Sequence, residues 1–139
     1  MPFVQRKTMA LRVFLVEDSA AQCAYLTQIL TAEAKAVVVG IAATEFQAIG
    51  WLDRHPEQWD IALVDLFLSE GTGVGVIRHC QNRRPEQSIL VMTNHARNDH
   101  LLHHCERLGV DAVYHKATEL DNLVAYCKSM AAKMPQCAA

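Results

Sequence analysis

One carboxylate is out of place in this 139-residue chain. Asp65 interrupts the apolar run "IALVDLFL" (61–68). A buried carboxylate without partners is costly, so Asp65 calls for a functional reason. Its candidate companions close other apolar runs. Glu17 and Asp18 follow "LRVFLV", Thr93 closes "SILVMT", and Lys116 closes "AVYHK". Three carboxylates with few competing bases suit a hard divalent cation, and Mg²⁺ with retained waters is the natural choice. Such an ion would reduce the repulsion among the acids and neutralise an incoming phosphoryl group. Asp65 can then act as a nucleophile and form an acyl phosphate. Thr93 and Lys116 are donors suited to phosphoryl oxygens, one as a hydroxyl and one as a point charge. No Gly-rich phosphate loop is present, so a nucleotide is not expected as the direct substrate.

These residues lie far apart in sequence, so a fold must gather them. Short apolar runs alternate with helix-like ones. Strands are predicted at 11–16, 36–43, 60–66, 88–93 and 112–116. Helices are predicted at 19–34, 44–55, 73–84, 96–109 and 118–133. Ser19 is placed to cap the first helix, Thr44 and Gln47 form a capping-box pattern, and Gly109 closes the fourth helix. Near-continuous β-branched and leucine runs imply strands covered on both faces. The expected fold is therefore α/β, a doubly wound five-stranded parallel sheet built from five βα units. In such a sheet ligands bind beyond the C-terminal strand ends. Glu17, Asp18, Asp65, Thr93 and Lys116 all arrive at that edge.

Composition narrows the classes. Hydrophobic residues make up 51% and charged residues 20%, with a net charge of −2, as in an ordinary globular domain. The charges are scattered, so no nucleic-acid face is expected. Apolar runs fall short of a membrane span, and no signal peptide is read, which points to the cytoplasm. Residues 1–8 read as a short lead, with Met9 as an alternative start; 9–133 form one domain and 134–139 a tail. Cys23, Cys80, Cys105, Cys127 and Cys137 have no paired spacing. The first four read as reduced core thiols and Cys137 as exposed. His100 and His104 lie one helical turn apart, but no third metal ligand accompanies them, so they and His103 read as surface histidines.

The motifs "VEDS" (16–19), "VDLFLSEGTG" (64–73), "VMTN" (91–94) and "YHK" (114–116) resemble those of response-regulator receiver domains, the phospho-accepting modules of two-component signalling. The resemblance spans roughly residues 9–133 and implies a flavodoxin-like (βα)5 fold. It implies that Asp65 is the phosphorylated aspartate and that Glu17 and Asp18 are the metal-binding pair. The backbone carbonyl of Phe67 would be a further Mg²⁺ ligand. Thr93 would be the switch hydroxyl, Lys116 the phosphate-pairing lysine, and Gly73 the glycine usual at its position. The implied donor is a histidine kinase or a histidine phosphotransfer protein.

Four positions depart from the family pattern. Ser69 stands where proline is common, so a less rigid loop is expected. Asn94 replaces a small residue. Val113 replaces the switch aromatic, and alternation sends the neighbouring Tyr114 to the other sheet face. Ala117 replaces a proline that follows a cis bond; a trans bond is expected, because cis costs a non-proline residue about 3 kcal/mol.

The expected function is that of a stand-alone receiver, not an enzyme beyond self-catalysed phosphotransfer and autodephosphorylation. It would signal to a downstream protein through the face of the fourth helix, fifth strand and fifth helix, where Arg97 and Arg107 add positive charge. It would do so as a monomer or weak homodimer. The alternative is a receiver-like interaction module that needs no phosphate. A phosphatase with an aspartate nucleophile is disfavoured, since Phe67 stands where such enzymes carry a second acid. An FMN binder is disfavoured by three acids at the phosphate-binding edge.

Overall fold

The computed structural model describes residues 10–96 and 98–134. The 1–8 lead, Arg97, Cys137 and nearly all of the tail lie outside the described residues. Five strands and five helices alternate: β1 Arg12–Val16, α1 Ala20–Ala34, β2 Val37–Ala42, α2 Glu45–Arg54, β3 Ile61–Asp65, α3 Gly73–His79, β4 Ser88–Thr93, α4 Asp99–Arg107, β5 Ala112–His115 and α5 Leu120–Lys133. All the strand pairs are parallel, in the order β2-β1-β3-β4-β5. The order reverses between β1 and β3. A crevice therefore opens where Glu17, Asp18 and Asp65 leave the sheet.

Strand alternation divides the core into two layers. Val13, Leu15, Leu63, Leu90 and Tyr114 point to α1 and α5, where Leu26, Leu30, Leu123 and Cys127 meet them. Phe14, Val16, Val64, Ile89 and Val91 point the other way, to Ala48, Leu52, Val76, Ile77 and Cys105. β3 and β4 are buried along their whole length, which is why they read as continuous apolar runs. Cys23, Cys80, Cys105 and Cys127 are buried free thiols. Burial pushes the thiols of Cys80 and Cys127 up to about 12.

Helix ends follow local chemistry. Ser19 Oγ accepts from the Gln22 N–H at 3.2 Å, and Thr44 Oγ1 from the Gln47 N–H at 3.1 Å. Gln47 reaches back to Ala43 N–H, one residue before the cap. Gly109, at φ 76°, closes α4 with the Gly109 N–H on Glu106 O and the Val110 N–H on Cys105 O.

Every helix is shorter than predicted, α1 and α2 by their cap residues alone. α3 stops at His79, and the Arg83 guanidinium holds the following turn through Cys80 O, Gln87 O and Gly109 O. α4 starts at Asp99, because Asn98 caps it through the Leu101 N–H at 3.1 Å. α5 starts at Leu120. Glu119 takes the cap position, but its carboxylate accepts from the His115 N–H instead.

Candidate functional site

Each predicted strand end delivers its residue to one edge. Glu17 and Asp18 leave β1, Asp65 ends β3, Thr93 ends β4, and Lys116 follows β5. The site centres on Lys116. Its ammonium lies 2.7 Å from Glu17 Oε1 and 2.7 Å from Asp65 Oδ2. Glu17 and Asp65 are 3% and 7% exposed, so the lysine neutralises carboxylates that could not stand alone. Burial alone would lower the Lys116 ammonium. The hydrogen bonds and charges of Asp65 and Glu17 outweigh it and hold the group above its usual 10.5.

Backbone N–H groups satisfy the remaining oxygens. Glu17 Oε2 accepts from Ser19 at 3.0 Å, and Asp65 Oδ1 from Phe67 at 3.1 Å. Thr93 is fully buried, and its Oγ1 accepts from the His95 N–H at 3.1 Å. The Lys116 N–H bonds Thr93 O at 3.1 Å, which ties the β4 and β5 ends together. The Lys116–Ala117 peptide is trans, as expected for a non-proline residue.

The donor set fits a hard divalent cation. Glu17, Asp18 and Asp65 each offer a carboxylate oxygen, all within 4.8 Å of one another. Three carboxylates against one ammonium leave two negative charges. Oxygen-only donors with one exposed member, Asp18, suit an ion that keeps part of its water.

The Ser69 departure has a structural consequence that its residue type does not announce. Its backbone N–H donates to Asp18 Oδ2 at 2.7 Å. Burial tends to raise the Asp18 carboxyl, but this bond and its neighbours win and hold it below its ordinary 3.8. The loop is further tied by the Gly73 N–H on Leu66 O and by the Thr72 N–H on Glu45 Oε1 at 2.8 Å. The expectation of a looser loop is thus not matched by its hydrogen bonding. A depressed carboxyl stabilises the fold above its unfolded pKa, and that contribution is lost as pH falls through the folded value. Ser69→Pro deletes the donor, so the Asp18 carboxyl should titrate nearer 3.8 by NMR. Ser69→Ala keeps the N–H and loses only the smaller pull of the Ser69 side chain, so Asp18 should stay lower than in Ser69→Pro. Equal titration in both variants would remove the bond as the cause.

Other neighbours escaped sequence reasoning. Phe67 is 54% exposed, and its ring lies 4.5 Å from that of His95, so the residues two places past the β3 and β4 ends meet in space. No spacing rule signals that pair. Asn94 is exposed beside Thr93. Val113 packs on the α4 side with Leu101, Cys105 and Leu108. Tyr114 points into the opposite layer, where burial, with smaller charge effects, pushes its phenol up to about 12.

The response regulator receiver domain model matches residues 13–128. The chain belongs to that family. Solved structures agree at the level of the fold. The response regulator domain of Thermotoga maritima CheB aligns with TM-score 0.76 at 15% identity, over 91% of this chain and 100% of that one. A CheY-like receiver domain protein from Methanospirillum hungatei JF-1 gives 0.72 at 24%, over 90% and 96%. The CheX–CheY–BeF3–Mg²⁺ complex from Borrelia burgdorferi gives 0.74 at 20%, over 90% of each chain. No curated protein matches the chain. Among the described residues, no helix of this receiver is long and apolar enough to cross a membrane.

Proposed function

We propose that this receiver accepts a phosphoryl group on Asp65 in a Mg²⁺-dependent step and signals by protein–protein contact. The observation that carries the reading is the Lys116 ammonium bridging Asp65 and Glu17, with Asp18 completing a carboxylate cluster. Glu17, Asp18, Asp65 and the Phe67 carbonyl are the groups that would hold Mg²⁺. When bound, the ion supplies charge neutralisation for the incoming phosphoryl group.

The chain's own residues account for the rest. An Asp65 carboxylate oxygen attacks phosphorus on a phosphohistidine donor. A new O–P bond forms, and the P–N bond breaks with its electron pair passing to the donor imidazole. Lys116 keeps its proton throughout and stands where it can follow the charge onto the phosphoryl oxygens. Thr93 Oγ1 accepts from the His95 N–H, which leaves its own proton to donate to phosphate.

The donor is a histidine kinase or a histidine phosphotransfer protein in the cytoplasm, and the receiver unit runs over 9–133. Its proposed chemistry does not go beyond self-catalysed phosphotransfer and autodephosphorylation. Output runs through the α4–β5–α5 face, where Arg107 is exposed. Incubation with acetyl phosphate and Mg²⁺ should add one phosphoryl mass to the wild type and none to Asp65→Asn. Chelation should abolish the adduct. No adduct on the wild type, or an adduct on the variant, would sink the reading.

A second reading rests on Val113 and Tyr114. Tyr114 packs in the α1–α5 layer and Val113 stands on the α4 side, so β5 does not offer Thr93 a tyrosine ring on that side. The module would then bind its partner without phosphate, and Asp65→Asn would leave that binding unchanged.

A further inference from the structure

We propose that Ser69 is a specificity-determining residue: its backbone N–H makes Asp18 a one-oxygen ligand and so favours Mg²⁺ over Ca²⁺. This selectivity rests on the reading of the strand-end edge as a Mg²⁺ site. It adds which hard cation the edge prefers and which residue decides.

Three carboxylates bring six oxygens to the edge, and five of them already have a protein partner. Glu17 Oε2 accepts from the Ser19 N–H at 3.0 Å, and Glu17 Oε1 lies 2.7 Å from the Lys116 ammonium. Asp65 Oδ1 accepts from the Phe67 N–H at 3.1 Å, and Asp65 Oδ2 from the Lys116 ammonium at 2.7 Å. Asp18 Oδ2 accepts from the Ser69 N–H at 2.7 Å. Asp18 Oδ1 remains, on the one exposed carboxylate of the three.

A carboxylate clamped in this way offers a cation one oxygen more readily than two, because a chelating grip needs both oxygens turned towards the ion. Ca²⁺ gathers roughly six to eight oxygens and uses such two-oxygen grips. Mg²⁺ needs about six and keeps several as water, so single carboxylate oxygens satisfy it.

The three backbone clamps differ in origin. Ser19 and Phe67 each follow their carboxylate by two residues, so the local chain supplies the N–H. The Ser69 N–H comes from 51 residues away. The loop after β3 delivers it, closed by the antiparallel Phe67–Thr72 bridge and by the Gly73 N–H on Leu66 O at 3.0 Å. The Glu45 N–H on Glu70 O at 3.2 Å ties the same loop to the start of α2. Proline, common in the family at this position, has no N–H and would release Asp18 Oδ2. The residue at 69 therefore decides whether the exposed carboxylate can grip with both oxygens.

Titration of amide NMR shifts with Mg²⁺ and with Ca²⁺ measures both affinities without any phosphoryl transfer. The wild type should bind Mg²⁺ the more tightly. In Ser69→Pro that preference should fall about tenfold, the smaller end of the effect of losing a group that orients a metal ligand. Ser69→Ala keeps the N–H and should keep most of the preference. Should Ser69→Pro fail to fold, exchange of the wild-type Ser69 amide with water decides. It should stay slow with Mg²⁺ and quicken with Ca²⁺, which competes for Asp18 Oδ2. Equal affinities in the wild type, an unchanged preference in folded Ser69→Pro, the same loss in Ser69→Ala, or Ser69 exchange indifferent to the cation would overturn the selectivity. If any of these came with Mg²⁺ binding and an acetyl phosphate adduct on Asp65, the proposed function would stand and the selectivity alone would fall. Neither Mg²⁺ binding nor an adduct would sink both.

Discussion

Lys116→Met should destabilise the fold by about 2–4 kcal/mol at neutral pH, seen as a lower denaturant midpoint with an unchanged slope. The reason is what the lysine leaves behind. Glu17 and Asp65 are buried carboxylates that share one cation at 2.7 Å on each side. Methionine fills much the same volume but leaves two like charges facing each other. The lysine side chain is 14% exposed, so solvent relieves part of the penalty, and the figure sits below that of a fully buried pair. The pH dependence follows from the direction of the lysine shift. The folded state binds this proton more tightly than the unfolded chain does. The contribution is complete below about pH 10.5 and is lost as pH rises through the folded value. The wild-type advantage should therefore be flat across neutral pH and narrow in strong alkali. Mg²⁺ should raise the melting temperature of the variant more than that of the wild type, since the ion replaces a missing positive charge. Equal stability of the two proteins at pH 7 would mean that the ion pairs do not hold the site together.

The strand-end residues were legible because parallel topology alone decides where a strand's C-terminal end arrives. Asp65 in an apolar run marked the central strand, and the others followed from alternation of runs. The opposite facings of Val113 and Tyr114 were legible for the same reason, a period of two. What stayed hidden depends on tertiary contact rather than pattern. The partner of Asp18 is a backbone N–H 51 residues away, and a backbone donor has no sequence signature except the absence of proline. Glu45 looks like a first-turn acid suited to its helix dipole, yet it also holds the Thr72 N–H of the loop after Asp65. The early stop of α3 follows from Arg83 reaching Gly109, 26 residues on, which no helical period encodes. The exposed β2 edge was misjudged in kind. "AVVVGIAA" reads as a strand buried on both sides, but Val37, Val39 and Ile41 are exposed on the outermost strand.

Gly73→Ala should cost about 2 kcal/mol or more and should lower phosphoryl uptake on Asp65, while Gly75→Ala stays close to neutral. Both glycines lie in the first turn of α3, where alanine would ordinarily gain about 1 kcal/mol from helix propensity. They differ in what a methyl group meets. At Gly73 a Cβ would collide with the Asp65 carbonyl oxygen and come within 2.7 Å of Leu66 Cα and 2.9 Å of the Asp65 carbonyl carbon. Those are backbone atoms at the end of a fully buried strand, held in register by the Asp65–Met92 pairing. They cannot yield without moving the carboxylate that Lys116 grips. At Gly75 the obstacle is the Glu45 carboxylate, the far end of a side chain. It can swing aside, losing only its bond to the Thr72 N–H. Chemical denaturation and phosphoryl uptake from acetyl phosphate, measured on both variants, separate the two cases. If Gly75→Ala proved as damaging as Gly73→Ala, glycine would be needed there for chain flexibility rather than for close approach to Asp65. If neither lost uptake, the Asp65 backbone would have room to shift without disturbing its carboxylate.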